Sequence, residues 1–393
     1  MASSVNTILV INAGSSSIKF ALYDQSNLGV LLQGVLESIG TSAKFSTKGQ
    51  WAEKIPAHSQ PNPKDNHRTL VAWLLELFTQ NLSDSTIVAA GHRVVHGGAN
   101  FTKPALLTPQ VIHELEQLTP LAPGHQPHNL AAIDAVSQIW PDIPQVASFD
   151  TAFHRTQSKT AQMFALPYEL TDEGIVRYGF HGMSYQYICD QLPMVIGSQK
   201  ALGKTVIAHL GHGASMCAVE NLKSVTTTMG FTALDGLVMG KRCGDIDPGV
   251  LLYLCQQKGM SPAEVDTLLN TKSGLLGVSG LSSDMRDLLA SDDGKAKQAV
   301  DLFVYRINQQ LGSMVASLGG LETLVFTAGI GTHSASIRKM VCELAKWLGI
   351  ELDEGANAAG KTIISTSESK IQVLVIPTDE EFVIASATRQ QIT

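Results

Sequence analysis

Residues 11–22 (INAGSSSIKFAL) and residues 208–219 (AHLGHGASMCAV) share one pattern: an apolar strand, a turn of small residues, then a second apolar strand. Residues 7–11 and 205–208 are β-branched and apolar, and the glycines and serines that follow punctuate them as hairpin turns do. Two similar hairpins predict two similar domains. At 393 residues the chain also exceeds what one hydrophobic core serves, so two domains with a cleft between them is the expectation.

Helices and further strands fill the space between the hairpins. Apolar residues at Leu70, Trp73, Leu74 and Leu77 recur at helical spacing and predict a helix over residues 69–80, and the same period predicts another over 297–317. Residues 324–330 (LVFTAGI) read as a buried strand running into a glycine turn. Alternation of strands and helices points to the α/β class. Residues 40–64 are polar and turn-rich, the composition of a surface hairpin or loop.

A net charge of −7 without any block of Lys and Arg argues against a nucleic acid or an anionic membrane as partner, and for a small molecule. The five cysteines are scattered with no C-x-x-C pair, as expected of reduced thiols. The N-terminus lacks a basic region before its short apolar run, and no apolar stretch reaches the roughly 20 residues of a spanning helix. A cytoplasmic protein is expected.

Several motifs carry candidate chemistry. The turn from Asn12 to Ser17, with Lys19, brings backbone N–H groups, hydroxyls and an ammonium together, a combination that holds phosphate oxygens and that an ordinary hairpin also shares. Asn12 offers a neutral oxygen for a Mg²⁺-bound water. His209, Leu210, Gly211, His212, Gly213, Ala214 and Ser215 form the second such turn, whose histidines serve either a phosphate or the structure. Arg93 ends an apolar run, placed for bidentate capture of a carboxylate or phosphate, or for a structural ion pair. Asp150 lies among apolar residues (VASFDTAFH) where burial is costly without a partner; a turn-capping role competes. The stretch 240–248 (GKRCGDIDP) offers Arg242 for a transferring phosphoryl group, with Asp245 and Asp247 orienting it or capping a helix that begins near Pro248. Residues 355–362 (GANAAGKT) satisfy G-x-x-x-x-G-K-[ST], but an acidic loop precedes them and a β-branched run follows, the reverse of a P-loop's strand and helix.

Taken in order, VINAGSSSIKF, GHRVVHGG, FDTAFH, YGFHG, HLGHGAS, MGFTALDGLVMGKRCGDIDPG, KSGLLGVSG, SSDMRD, FTAGIG and IPTDEE resemble the acetokinase family, the acetate and propionate kinases, from residue 8 to about 385. The resemblance implies a duplicated actin, hexokinase and Hsp70-like (ribonuclease H-like) fold. Residues 1–150 with about 381–393 would form the N-terminal domain and residues 151–380 the nucleotide-binding C-terminal one. It implies reversible transfer of the ATP γ-phosphoryl group to acetate, and a homodimer. Asn12 and Glu380 would serve Mg²⁺, with Mn²⁺ as a substitute. Lys19, His209, Leu210, Gly211, His212 and Gly213 would meet the ATP phosphates, and Asp284, Met285, Arg286, Gly329, Ile330, Gly331, Thr332 and His333 the nucleoside. Arg93 would bind substrate, Asp150 would be the active-site acid, and His181 with Arg242 would stabilise the transition state. Val95, Phe180, Ala233 and Gly124 would meet the acyl group.

This division is chemically sensible, because acetate is already an anion and the obstacle is bringing it against an anionic phosphoryl group. The sequence departs from the family pattern at Gly124, usually leucine, which points to propionate or butyrate as alternative substrates. Further departures are His212 for asparagine, Thr332 and His333 for Glu-Asn, Met183 and Tyr185 for Thr and His, and Ala99 for Glu. Two other classes compete: a superfamily kinase acting on a hydroxyl, which needs an aspartate base, and a nucleotide-binding regulator without turnover.

Overall fold

The computed structural model describes residues 4–14 and 16–393, so Ser15 of the first turn lies outside the described residues. The chain divides into two compact units, Met1–Phe153 with Asp379–Thr393, and His154–Thr378. Glu380, expected with the second domain, thus belongs to the first unit, because the helix Glu380–Ile392 packs on that unit's sheet.

In the first unit, β1 (Val5–Ala13), β2 (Ser17–Asp24), β3 (Val30–Glu37), β4 (Lys44–Lys48), β5 (Ser85–Val94), β6 (Ala105–Leu106) and β7 (Gln145–Phe149) form one sheet in the order β4-β3-β2-β1-β5-β7-β6. β1 to β4 run antiparallel to their neighbours, and β1, β5 and β7 run parallel. In the second unit, β8 (Thr205–Leu210), β9 (Ala214–Glu220), β10 (Lys223–Thr227), β11 (Thr323–Thr327) and β12 (Gln372–Val375) are ordered β10-β9-β8-β11-β12. Here too a hairpin and a third antiparallel strand flank two parallel ones. The repeat seen in the sequence is therefore a repeated sheet, with the hairpins β1/β2 and β8/β9 at matching places in the order.

Helix His67–Asn81 has the periodicity read from the sequence, with Asn66 capping it and Leu70, Val71, Leu74, Leu75 and Phe78 buried against the first sheet. Burying each such side chain contributes about 1.5–3 kcal/mol. The segment 40–64 supplies β4, whose Phe45 stacks on Phe20 at 5.8 Å and meets Trp73 edge-on at 5.0 Å, so it closes the core rather than decorating it. On the other face, helix Glu380–Ile392 approaches β5 so closely that a Cβ at Gly91 would lie 2.3 Å from Thr388 Oγ1 and 2.7 Å from Ile384 Cγ2. Only glycine fits there.

Helix Gly294–Leu318 carries the predicted 297–317 period and packs on β8, β9 and β10. The strand foreseen at 324–330 ends at Thr327, and the expected glycine turn is a helix, Ala328–His333. The sharp change of direction falls on Ala328, which takes φ 62°, while a Cβ at Gly331 would make only an ordinary contact, 3.6 Å from the Ala208 carbonyl oxygen. The P-loop look-alike forms a short helix, Glu354–Ala358, that no strand precedes directly. Among the described residues no helix is long and apolar enough to cross a membrane.

Candidate active site

Parallel strands end together, so the C-terminal ends of β1, β5 and β7 bring their last residues to one edge of the first unit, the usual place for ligands in such sheets. Arg93, next to last on β5, donates from Nε to Asp150 Oδ1 at 3.0 Å and from Nη2 to Oδ2 at 2.6 Å. Its Nη1 lies 3.5 Å from Asn12 Oδ1. Asp150, one residue past β7 and 2% exposed, thus has the partner its burial demands, and it does not cap a turn with its side chain. Burial works against the Arg93 charge, but Asp150, Glu380 and Glu381 more than offset it and raise its pKa.

Carboxylates crowd this edge. Burial pushes Glu380 up to about 7; Arg93 and Lys19 pull against that, while Asp150 and Glu381 add to it. Asp379 caps the helix by accepting from Phe382 N at 2.9 Å and is also raised by burial. Asn12 donates to Glu381 Oε1 at 3.1 Å, so its direct partner is Glu381 rather than Glu380. Lys19, opposite Asn12 in the β1/β2 register, is exposed.

Braces that sequence reasoning missed hold this edge. Asn129 accepts from Val95 N at 2.9 Å and donates to the Ala13 carbonyl at 2.7 Å, tying the ends of β1 and β5 together. Gln126 accepts from His96 N at 3.3 Å and donates to the carbonyls of His96 and Leu115. His67 Nε2 is 2.7 Å from the Gly14 carbonyl, with its ring stacked on His128 at 3.9 Å. Val95 is buried, whereas Gly124 is exposed with nothing within 4 Å of where its Cβ would stand.

In the second unit His181 takes φ 58° at the start of helix Gly182–Ile196, and its Nδ1 is 2.8 Å from Ser215 Oγ. Its ring stacks on His209 at 4.1 Å, and His209 Nδ1 is 2.8 Å from Ser184 Oγ. The β8/β9 turn closes with Gly211 N donating to the Gly213 carbonyl at 3.1 Å. The point where a Gly213 Cβ would stand is 3.4 Å from His181 Nε2 and 3.8 Å from Arg242 Nη1, so the turn, the imidazole and the guanidinium meet there. Arg242 also donates to the Ala233 carbonyl at 2.9 Å. Phe180 is buried, its carbonyl 2.9 Å from His154 Nε2. Asp247 caps helix Pro248–Gln256 through Gly249 N at 2.7 Å, and Asp245 Oδ1 accepts from Gly236 N at 2.9 Å.

Beside this cluster lies a cavity of about 760 Å³ lined by Gly211, His212, Asp284, Met285, Arg286, Gly329, Ile330 and His333 of the expected nucleotide residues. Leu289 and Ser283 join them, together with Ser334, Ala335 and Ser336, which had gone unnoticed. Leu210 is wholly buried and Gly331 buried, so neither side of the cavity is theirs, and the cavity lining does not include Thr332. Burial, reinforced by Lys241 and Arg242, lowers the His212 pKa, and its ring packs against Gly240, where a Cβ would come within 2.4 Å. Behind the cavity wall Arg338, 1% exposed, donates to the carbonyls of Gly331 at 3.0 Å and Thr332 at 2.7 Å, and to Asn357 Oδ1 at 2.8 Å. No sequence signal separates this arginine from a surface one, because it sits in an amphipathic helix beside Lys339.

The acetokinase family model matches residues 7–386. This chain belongs to the acetokinase family. It is 50% identical over 389 residues to an acetate kinase of Rhodopseudomonas palustris, covering 97% of each chain, and 46% identical over 395 residues to an acetate kinase of Methylocella silvestris, covering 97% and 96%. Its structure resembles a propionate kinase from Francisella tularensis subsp. tularensis SCHU S4 (38% identity, TM-score 0.91, 98% of this chain and 99% of that one). It also resembles an acetate kinase of Porphyromonas gingivalis (36% identity, TM-score 0.87, 99% and 100% coverage). The duplicated α/β fold is thus the actin and hexokinase-like architecture of the acetokinases.

Proposed function

We propose that this chain is an acetate kinase, transferring the γ-phosphoryl group of ATP to acetate to give acetyl phosphate and ADP, reversibly and by direct in-line displacement. The observation that carries the reading is a family match over residues 7–386 whose nucleotide motifs, far apart in sequence, line one cavity. Acetate needs no base, since a carboxylic acid is ionised at neutral pH. The work left is electrostatic. Arg93, locked by Asp150, is poised for the carboxylate, and Arg242 with His181 donates to the equatorial phosphoryl oxygens as charge builds there. Both Asp150 oxygens are engaged by Arg93, which disfavours the reading of Asp150 as base for a neutral hydroxyl.

Mg²⁺ suits the first unit. Asn12, Glu380 and the neighbouring Glu381 offer only oxygens, and burial, with Asp150 and Glu381 adding to it, pushes Glu380 up to about 7, a cost that a bound cation would relieve. A divalent ion bound there would neutralise phosphate charge on ATP. Propionate is a second acceptor, supported by the open space at Gly124. A homodimer acting in the cytoplasm completes the proposal. It is supported by helix Pro248–Gln256, whose Leu252 and Tyr253 are 58% and 53% exposed with no charged residue along it.

The test is hydroxamate trapping of acyl phosphate with ATP, Mg²⁺ and acetate, propionate or butyrate. Acetyl hydroxamate is expected, with propionate within about 10- to 200-fold in kcat/KM. Arg242→Ala should cut kcat by about 10²- to 10³-fold with little change in the KM for ATP. Nucleotide binding without acyl phosphate from any short carboxylate would leave a regulator instead.

A further inference from the structure

Tyr185 stands where the family commonly has histidine, and nothing in the proposed chemistry uses it. It lies one helical turn after His181, with its backbone N donating to the His181 carbonyl at 3.1 Å. Tyr185 and Ser215 are both wholly buried, the phenol is hydrogen-bonded to Ser215 Oγ, and the same Oγ is 2.8 Å from His181 Nδ1. One hydroxyl therefore joins the phenol to the imidazole that faces the Gly213 turn and Arg242 through its other nitrogen.

We propose that Tyr185 is a positioning residue which, through Ser215, fixes His181 as the tautomer protonated on Nε2. The inference rests on the reading that His181 stabilises the transferring phosphoryl group. A phenol is a stronger acid than an alcohol, and an imidazole nitrogen is the best acceptor of the three. The hydrogen bonds accordingly run one way. Tyr185 O–H donates to Ser215 Oγ, and the Ser215 hydroxyl donates to His181 Nδ1, which must then be the unprotonated nitrogen. The ring proton is left on Nε2, where it donates to an equatorial phosphoryl oxygen; the other tautomer would turn a lone pair on an anion. Stacking on His209, itself held by Ser184, keeps the ring plane in place while the hydroxyl chain sets its proton.

Tyr185→Phe keeps the ring and deletes the chain's first donor. In the ¹⁵N-labelled enzyme, the His181 imidazole is expected to show the Nε2–H pattern, shifting to a mixture of tautomers in the variant. The kcat for acetyl phosphate formation should fall about 10- to 100-fold, the usual cost of removing an outer partner, with the KM values for ATP and acetate unchanged. Tyr185→His, which returns an N–H donor, should recover most of it. Unchanged ¹⁵N shifts in Tyr185→Phe, whatever happens to kcat, would reduce Tyr185 to packing and overturn the proposal. Should that variant fail to fold, Ser215→Ala reads the same chain from its middle and must produce the same change in tautomer. The nitrogen shifts are measured without turnover, so an enzyme that formed no acyl phosphate would defeat the kinase reading and leave this one to be judged separately.

Discussion

Arg93 and Asp150 each solve the other's problem: a buried carboxylate is costly alone, and an arginine at a strand end needs fixing before it can present its remaining edge. Arg338 does for the cavity wall what Asp150 does for Arg93. It holds the carbonyls of Gly331 and Thr332 at the end of helix Ala328–His333, two groups that a short helix leaves unpaired. Replacing Arg338 with methionine should strip both, at about 1–3 kcal/mol per buried unpaired group, and raise the KM for ATP while that for acetate stays put. Lysine should not rescue it, lacking the planar fork. Equal KM values for ATP in wild type and variant would count against the bracing role. The sequence made Arg93 and Asp150 visible because each broke an apolar run, but their pairing spans 57 positions and no local pattern encodes it. Arg338, Asn129 and Gln126 were invisible because a polar residue on a helix looks the same whether it faces solvent or a buried carbonyl.

Elements whose period is set by one buried face were legible, as helix His67–Asn81 and helix Gly294–Leu318 show. The turn after β11 runs against the sequence pattern, because Ala328 rather than a neighbouring glycine carries the positive φ. Helix Pro248–Gln256 announces its start through Asp247 and Pro248, yet its apolar side chains find no core: none of its nine residues is buried. Val250, Leu252 and Tyr253 exposed beside the half-buried Leu251 and Leu254 are unfavourable unless another surface covers them, and a second copy of the chain is the occupant proposed above. Leu252→Glu should therefore convert the dimer to monomer by sedimentation velocity while leaving the monomer folded, since that side chain is 58% exposed in the single chain. A dimer of unchanged stability in the variant would remove this helix from the interface.

Across the whole molecule two buried imidazoles outside the proposed chemistry, His92 in the first unit and His154 in the second, are held by burial at about 4. His92 is 1% exposed and its Nε2 is 2.8 Å from Gln145 Oε1, whose amide donates to Ser137 Oγ at 2.8 Å. In the unfolded chain such a histidine titrates near 6.5, so between pH 6.5 and 4 the unfolded state binds a proton that the folded state refuses. The stability that neutral His92 contributes is fully present above about 6.5 and is lost as the pH falls toward 4. Asp245, pushed up to about 6, and Glu380, at about 7, act in the opposite sense, since the folded protein keeps their protons where the unfolded chain has released them. These opposing shifts partly compensate each other along the wild-type acid limb, and a single-site change is needed to expose either side. His92→Gln keeps a donor for Gln145 but cannot be charged. Its destabilisation at pH 7 should shrink by about 2 kcal/mol at pH 5, because the wild type loses about 1.4 kcal/mol per pH unit that the variant does not. Urea unfolding of the first unit at both pH values reads this difference directly, and a gap that stays constant with pH would mean His92 is protonated in the folded state.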